Sequence, residues 1–483
     1  MAMQSIDFTK IRSALHRLPS DHDADGEHAP TTQEIFAPEQ HASALDPYTA
    51  IVVGARGTGK SFWAGVLNND DTRATAAEFY PDLGLEDIIV APGYTSLQQQ
   101  KILDSLVPHG SEIALGYTFW QALIIRSVEE KLYPGRAKKK LSYYMGKFND
   151  PEEVEVFFDK LDKVLLKKNK IILLTFDALD TIAKQWSRSN LLLDSLFEVV
   201  WSLRAYKFIK AKIFIRPEQL NDESLRFVEM PKLRSARVEL EWNQVELYGL
   251  LFSRLAYEAQ SEDFIAFCKS YNYAVPSVAS SKNKKEWKLL YSKDAQQKVM
   301  EAFAGLYMGS NPKKGKTYDW PYKHLADAYG NVTPRSFIKL FVEAAKFGPA
   351  HSTQVITAEG IRHGLREASK VRVDQLGVEY IWVRRALAPL AGLRVPCEVK
   401  ELYSRWKETS TINIILKASQ DESNGFLPPF PPGTKMDKSL ALLEAMTKIG
   451  LIEYRHDGRI DMPDLFRVAA SMLKKGGLAP SKR

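Results

Sequence analysis

The residues best suited to chemistry form one short segment that begins at Gly54. The segment fits the pattern GxxxxGK[ST] and reads Gly54-Ala55-Arg56-Gly57-Thr58-Gly59-Lys60-Ser61. Its glycines allow the backbone to adopt positive φ and to turn consecutive N–H groups toward an anion. Lys60 supplies a positive charge between the β- and γ-phosphates of a nucleoside triphosphate, and Ser61 supplies a hydroxyl ligand for Mg²⁺. We therefore predict an ATP and Mg²⁺ site on Gly54 to Phe62; the alternative is a flexible glycine loop with a coincidental lysine.

A pair of acidic residues follows an apolar run later in the chain. Residues 171–176 read IILLTF, and the next four are Asp177, Ala178, Leu179 and Asp180. A buried strand over the apolar run would bring Asp177 to the carboxyl edge of a sheet, where it would help to hold Mg²⁺. Asp180 would then point at the attacking water. The alternative is that Asp177 caps the N-terminus of a helix that begins near Ile182.

Short apolar runs alternate with helical patterns over the region that contains both candidate sites. The candidate strands are residues 49–53, 87–91, 171–175, 212–215 and 238–240. Such alternation is typical of an α/β fold, a parallel sheet with helices on both faces. The first run leads into Gly54, and a helical pattern follows from Ser61 to Leu67. This strand, loop and helix order is the setting that a phosphate-binding loop needs.

The rest of the chain divides into regions of different composition. An N-terminal helix at about Phe8 to Leu18 precedes a polar stretch to Pro47 that we predict to be a mobile linker. The predicted domains are 1–47, helix and linker; 48–260, P-loop core with a helical insertion at about 94–170; 261–370, an insertion and a helical lid; and 371–483, a C-terminal module.

The C-terminal module has the pattern of a winged helix. An amphipathic helix begins at Lys438, and the turn His456-Asp457-Gly458 joins two short candidate strands. Basic residues that could contact phosphates there are Arg455, His456, Arg459 and Arg467. Because Asp437 and Glu444 oppose Lys438 and Lys448 on the helix, both DNA binding and protein docking stay open.

The order strand, P-loop and Asp-Ala-Leu-Asp resembles the STAND branch of the AAA+ superfamily, including NACHT-type ATPases, whose second acidic motif reads DGLDE. Here Ala178 replaces the glycine, and Thr181 stands where the family has an acid. The resemblance implies an AAA+/STAND-like P-loop core, a helical lid and ATP hydrolysis. The missing acid implies that hydrolysis is slow.

The same resemblance assigns candidate arginines. Arg216 follows the fourth candidate strand, similar to the sensor arginine of STAND proteins, and would contact the γ-phosphate. Arg335 ends the run Gly330 to Arg335, which resembles a lid motif and the NPR element of KAP ATPases. Arg226 and Arg234 lie in the region from which AAA+ proteins reach a neighbouring subunit. For each arginine, an ordinary surface salt bridge is the alternative.

Bulk composition sets limits on other functions. The net charge of +7 over 483 residues is a weak basic excess. Cys268 and Cys397 have no partners at metal-ligand spacing, so neither a zinc site nor a disulfide framework is expected. The N-terminus lacks a secretory pattern and no long apolar run occurs, which favours the cytoplasm and no membrane. The basic cluster Arg136, Lys138, Lys139 and Lys140 is predicted to be solvated surface.

Three functions fit these observations. The first is a slow ATPase that acts as a nucleotide-controlled switch, with itself or a separate effector protein as partner, in bacterial signalling or antiviral defence, as the resemblance implies. The second is a DNA-associated AAA+ ATPase of replication initiation, plasmid maintenance or transposition, which would bind nucleic acid through its winged helix. The third is a scaffold that binds nucleotide without hydrolysing it.

Overall fold

The computed structural model describes the chain except residues 1–5, 20–29, 96, 137, 184–185, 221–224, 226, 259–260, 275–285, 422–425, 427, 431–432, 476 and 479–483. The chain forms two compact units. The sheet unit is largely His22–Leu240, and the helical unit contains Met1–Asp21 and most of the chain from Glu241 onward. The unit boundary therefore falls at Leu240, whereas the sequence predicted a core that runs to residue 260.

A five-stranded parallel sheet is the centre of the sheet unit. Its strands are β1 (Ile51–Val53), β2 (Ile88–Pro92), β3 (Ile171–Phe176), β4 (Ile209–Ile215) and β5 (Val238–Glu239), in the order β2-β3-β4-β1-β5. β4 thus lies between the strand before the P-loop and the strand before Asp177, pairing Val53 with Ile215 and Phe176 with Ile213. All five predicted strands are present, and the predicted α/β class is confirmed.

Helices cover both faces of this sheet. They are α2 (Ala42–Leu45), α3 (Lys60–Asn68), α4 (Asp70–Phe79), α5 (Leu97–Leu106), α6 (Glu112–Leu132), α7 (Leu141–Lys147), α8 (Pro151–Lys168), α9 (Trp186–Ser202), α10 (Pro217–Leu220) and α11 (Met230–Ser235). Alternate strand residues point to opposite faces. Val52, Leu173 and Phe214 therefore join the core with α3 and α4, while Ile51 and Leu174 join the core with α6 and α9.

The region predicted to carry a helical insertion forms α5 to α8, and a buried arginine anchors it. Arg188 on α9 is ion-paired with Glu112, the first residue of α6. It also donates hydrogen bonds to the Asp104 carboxylate (3.1 Å) and to the Val107 carbonyl (2.7 Å). These bonds satisfy a buried charge and fix α5 and α6 to α9.

Residues 30–47 are ordered, which differs from the predicted mobile linker. They form 3₁₀ turns at Thr32–Glu34 and Glu39–His41 and the short helix α2. Ile35 and Phe36 are buried, and the hydroxyl of Tyr80 donates to the Pro38 carbonyl at 2.6 Å. The buried contacts of this segment are made by isolated side chains on short turns. The sequence therefore lacks the regular spacing of apolar residues that would mark a helix or a strand. Residues 20–29 of the predicted linker lie outside the described residues.

The helical unit contains α1 (Phe8–Arg17), α12 (Gln244–Ala256), α13 (Glu262–Ser270), α14 (Lys288–Tyr291), α15 (Lys293–Ala304), α16 (Asp319–Leu325), α17 (Pro334–Lys346), α18 (Ala358–Glu379) and α19 (Trp382–Leu387). The predicted N-terminal helix is α1, and it is tied to the end of α17. Arg12 donates hydrogen bonds to the carbonyl oxygens of Ala345 (2.7 Å), Phe347 (2.8 Å) and Gly348 (2.7 Å). One arginine thereby satisfies carbonyls that a helix end leaves without partners.

The C-terminal part of this unit has the winged-helix-like form that the sequence predicted. It contains β6 (Arg394–Val395), α20 (Val399–Glu408), α21 (Thr411–Ser419), α22 (Lys438–Lys448), β7 (Glu453–Tyr454), β8 (Ile460–Asp461), α23 (Asp464–Arg467) and β9 (Leu473–Lys474). β7 and β8 pair antiparallel across the predicted turn, and Cys397 pairs with Ile460 on the other side of β8. None of the described helices is long and apolar enough to cross a membrane.

Candidate nucleotide-binding site

The predicted phosphate-binding loop joins β1 to α3. The Gly54 N–H donates to the Ile215 carbonyl at 3.1 Å, which continues the sheet pairing into the loop. Gly57 (φ 85°) and Gly59 (φ 104°) adopt the left-handed conformations expected of them, and α3 begins at Lys60. Gly54 does not have the positive φ that we predicted. It is needed for space instead, because a Cβ there would lie 2.4 Å from the Thr58 hydroxyl oxygen.

Lys60 is half-buried in the first turn of α3, and its ammonium group lies over the loop backbone. It donates hydrogen bonds to the carbonyl oxygens of Gly54 (2.6 Å) and Ala55 (3.1 Å). Burial and, second, the charge of Arg216 lower the pKa of Lys60 to about 8, while the charge of Asp177 opposes the shift. The two cations are thus close enough to repel one another, and a bound anion would relieve that repulsion.

Ser61 and Asp177, the two predicted Mg²⁺ ligands, are in contact. Asp177 follows β3 directly and is only 7% exposed. Burial raises the pKa of Asp177, and the hydrogen bond from the Ser61 side chain opposes that shift. A hydroxyl and a carboxylate are oxygen ligands of the kind that Mg²⁺ prefers, so this pair fits the predicted metal. Because α9 begins only at Trp186, Asp177 is not the N-cap of that helix.

Ala178 has a left-handed backbone conformation, with φ 54°. It occupies the position where the resembling motif has glycine, and glycine is the residue that adopts this conformation without a steric penalty. The turn bends the chain directly after Asp177, so that Asp180 lies in the short helical turn Leu179–Thr181 beyond the end of β3. The substitution of alanine for glycine therefore leaves local strain beside the candidate site.

Arg216 directly follows β4 and forms an ion pair with Asp180. Its guanidinium also lies 3.8 Å from the Glu218 carboxylate. The charges of Arg216, Asp177, Glu218 and Asp180 all affect the pKa of Lys60. These five groups therefore lie close together at the carboxyl edge of the sheet. The structure brings together five predicted residues: Lys60, Ser61, Asp177, Asp180 and Arg216.

Two polar links near the site were not found from the sequence. The Gln219 amide donates to the Leu179 carbonyl (3.2 Å) and accepts from the Arg216 N–H (3.4 Å), which joins the chain after β4 to the chain after β3. The hydroxyl of Thr175 donates to Asn68 at the end of α3 (2.7 Å). No motif marks either link, since each depends on a partner that the sequence places far away.

The remaining loop residues have less specific positions. Arg56 is half-buried in the loop, and the Phe62 ring packs edge-on against Trp63 at 5.3 Å between centroids. Arg234 donates to the Leu220 carbonyl at 2.8 Å, and Arg226 lies outside the described residues. The roles of these residues in nucleotide binding stay predictions.

Arg335 lies in the first turn of α17, in the helical unit. Thr333 caps this helix by accepting a hydrogen bond from the Ser336 N–H at 3.3 Å. The predicted helix after Pro334 is therefore present, whereas the role of Arg335 as a second sensor stays a prediction.

The basic residues of the winged-helix-like module differ in their availability. Arg455 is exposed and Arg459 is half-buried, and each has an acidic partner, Asp461 at 3.4 Å and Asp457 at 2.7 Å. Arg467 is fully buried and pairs with Asp464 at 2.6 Å. Our expectation that Arg467 could contact phosphates is therefore wrong, because its guanidinium holds the module together instead.

Comparisons with known proteins add little to this geometry. No family model and no curated protein matches the chain. The solved structures that are similar include the ORC2 protein of Aeropyrum pernix in ADPNP-ADP complexes, with 14% identity and a TM-score of 0.33 over 91% of this chain and 92% of that one. The ORC1 protein of Aeropyrum pernix in complex with DNA gives 14% identity and a TM-score of 0.33 over 95% of this chain and 94% of that one. At this identity and TM-score, neither likeness identifies a family or an activity.

Proposed function

We propose that this protein binds ATP with Mg²⁺ and hydrolyses it slowly, as a nucleotide-controlled switch of the STAND/AAA+ type. The observation that carries the proposal is the grouping of Lys60, Ser61, Asp177, Asp180 and Arg216 at one edge of the sheet. A structural ion-pair network would not require the left-handed loop with Lys60 at its end. A phosphate site requires both.

Each group has a distinct part in this proposal. The N–H groups of the loop and the ammonium of Lys60 hold the phosphates, and Ser61 and Asp177 hold the metal. Mg²⁺, when bound, neutralises negative charge on the phosphate oxygens. Asp180 orients the attacking water, and Arg216, which pairs with Asp180, provides positive charge near the transferred phosphate.

The switch is the finer part of the proposal. Thr181, where the resembling motif has an acid, supports slow turnover and a long-lived ATP state. The motif resemblance supports a role in bacterial antiviral defence, with a homo-oligomer or a separate effector protein as partner. Arg335, the predicted second sensor, would report the presence of ATP to that partner.

A DNA-associated AAA+ ATPase is the second candidate, and the exposed wing favours it. The β7–β8 turn presents Arg455 and His456 to solvent, with Arg459 half-buried beside them, as a wing that contacts DNA would. The acidic partners of both arginines, and Glu444 beside Lys448 on α22, lower the positive charge of this surface. We therefore keep the switch as the main proposal.

Size-exclusion chromatography with light scattering separates the two candidates when it is run with and without ATP, Mg²⁺ and duplex DNA. Assembly or compaction on ATP alone supports the switch. Co-elution with DNA that is lost at high salt and in the Arg455→Glu/Arg459→Glu variant supports the second candidate. Phosphate release is measured on the same samples, and its complete absence would remove hydrolysis from the proposal.

A further inference from the structure

A basic and aromatic surface is formed by the connection between α6 and α7 and by α7 itself, and it shares no residue with the candidate nucleotide site. We call it the basic loop; it consists of Tyr133, Arg136, Lys138, Lys139, Lys140, Tyr143 and Lys147. From Tyr133 to Lys147 the sequence contains five cations and no aspartate or glutamate. All seven of these side chains are exposed. Positive charge is therefore concentrated on a short stretch of the surface.

Aromatic rings hold two of these cations in place. The Arg136 guanidinium lies 4.2 Å from the centroid of the Tyr133 ring. The Lys139 ammonium lies 4.1 Å from the centroid of the Tyr143 ring and donates to its hydroxyl at 3.0 Å. Tyr133 and Tyr143 are nevertheless 40% and 44% exposed. The loop therefore presents charge and ring surface side by side, with less side-chain freedom to lose on binding.

The carboxylates that flank the loop are engaged elsewhere. Glu129 accepts from the Tyr144 hydroxyl at 2.9 Å, and Glu130 lies 3.8 Å from Arg126. Asp150 caps α8 by accepting from the Glu152 N–H at 2.9 Å. Among the described residues, none of the five cations of the basic loop forms an ion pair with a carboxylate. The positive charges of the basic loop are therefore available to an anionic partner.

We propose that the basic loop binds single-stranded nucleic acid, with its cations on the phosphates and with Tyr133 and Tyr143 stacked on unpaired bases. Single-stranded nucleic acid is bound by cations that contact its phosphates and by aromatic rings that stack on its bases. The basic loop presents both kinds of group in alternation. An anionic membrane also attracts lysines, but a membrane-binding surface inserts large apolar side chains. The basic loop offers only tyrosines.

This inference goes beyond the proposed function and does not depend on it. The basic loop belongs to the sheet unit, whereas the wing belongs to the helical unit. If the basic loop binds nucleic acid, the sheet unit binds nucleic acid without the wing. Failure of ATP binding would leave the inference standing, and failure of nucleic-acid binding would leave the ATP site standing.

The test is fluorescence anisotropy with a labelled 30-nucleotide single strand and the matching duplex, over a series of salt concentrations, on the full chain. The test variant is Arg136→Ala/Lys138→Ala/Lys139→Ala/Lys140→Ala. A matched control, Lys160→Ala/Lys163→Ala/Lys167→Ala/Lys168→Ala, removes the same charge from exposed positions on α8. There the lysines share the helix with acids such as Asp159 and Asp162, so the local field is weaker.

We expect the wild-type chain to prefer the single strand, and the test variant to bind it at least tenfold more weakly. The slope of log affinity against log salt should fall by roughly 3, because each lost phosphate contact removes about 0.7 from the slope. The control should change affinity by less than threefold, and Tyr143→Leu should weaken binding where Tyr143→Phe does not. Circular dichroism and the midpoint of urea unfolding check that every variant is folded.

Several outcomes would overturn the inference. They are no single-strand binding by the wild-type chain, equal losses in the test variant and the α8 control, and binding abolished only by Arg455→Glu/Arg459→Glu. The inference would also be overturned if the test variant lost binding to vesicles of phosphatidylserine and phosphatidylcholine but kept its affinity for the single strand.

Discussion

The side chain of Ser61 lies against the carboxylate of Asp177, so the first turn of α3 meets the end of β3. The two residues stand on strands and helices that are far apart in the chain, and β4 separates β1 from β3 in the sheet. Their contact therefore depends on the whole parallel sheet, whose carboxyl ends share one edge.

Asp177→Ala should remove the dependence of ATP binding on Mg²⁺. The variant keeps the loop and Lys60 but lacks the carboxylate that holds the metal, so the residual affinity should be similar with Mg²⁺ and with EDTA. Isothermal titration calorimetry under both conditions measures this. The control is Asp82→Ala, which removes an exposed acid from the sheet unit. An Asp177→Ala variant whose affinity still rises strongly with Mg²⁺ would show that another group holds the metal.

Asp180→Asn should slow phosphate release and leave ATP affinity within about threefold of the wild type. The amide keeps the shape of the side chain but loses the charge that orients water and pairs with Arg216. Loss of a group with this role lowers turnover by roughly 10²–10⁴-fold. Glu218→Gln, which changes the more distant partner of Arg216, should have a much smaller effect. Equal turnover in wild type and Asp180→Asn would remove Asp180 from the mechanism.

Ala178→Gly should stabilise the sheet unit by about 0.5–1 kcal/mol, an unusual sign for an alanine to glycine change. The left-handed conformation at φ 54° costs alanine more than it costs glycine, and this gain exceeds the extra freedom of glycine in the unfolded chain. Ala74→Gly, at an exposed position inside α4, should instead destabilise by about 1 kcal/mol. Urea unfolding measures both; destabilisation by both substitutions would contradict the strain at Ala178.

Lys212 should make stability depend on pH in the alkaline range. Its fully buried ammonium donates to the carbonyls of Asp46 (2.8 Å) and Thr49 (2.7 Å), and burial lowers its pKa from 10.5 to about 7. Between those values the unfolded chain binds a proton that the folded chain has released. The free energy of unfolding therefore rises with pH from about 7 toward 10.5, while below pH 7 the cost of the buried charge is constant.

Urea unfolding of Lys212→Met across pH 6.5 to 9.5 tests this linkage. The difference in unfolding free energy between wild type and Lys212→Met should shift in favour of the wild type as pH rises, by at most about 1.4 kcal/mol per pH unit. Lys207→Met, at an exposed position, should show no such trend. A difference that is constant over this range would mean that Lys212 stays charged in the folded chain.

Local patterns were enough to predict the sheet and the loop. The strand residues are buried on both faces, so Ile51–Val53 and Ile171–Phe176 appear as continuous apolar runs, and the P-loop has a spacing that is specific by itself. Asp177 was found because an acid directly after a buried strand has a fixed place at the sheet edge.

Features that depend on distant contacts were not predictable from local patterns. Residues 30–47 are held in place by single side chains such as Ile35, which packs in the core with α3 and α4, and such isolated contacts give no apolar period. Arg467 has the composition of a phosphate contact, yet its partner Asp464 and the carbonyls of Met472 and Leu478 bury it. Gln219 joins two loops through bonds to Leu179 and Arg216, and no sequence signal precedes such a link.

The most direct test of the account is the ATP affinity of Lys60→Ala. Isothermal titration calorimetry with Mg²⁺-ATP is compared between wild type, Lys60→Ala and Lys101→Ala, an exposed lysine on α5, with circular dichroism to confirm folding. We predict that Lys60→Ala weakens binding by at least roughly 100-fold, because a charge-assisted contact to the phosphates is lost, while Lys101→Ala binds as the wild type does. Equal affinities in wild type and folded Lys60→Ala would contradict the assignment of the loop as a triphosphate site.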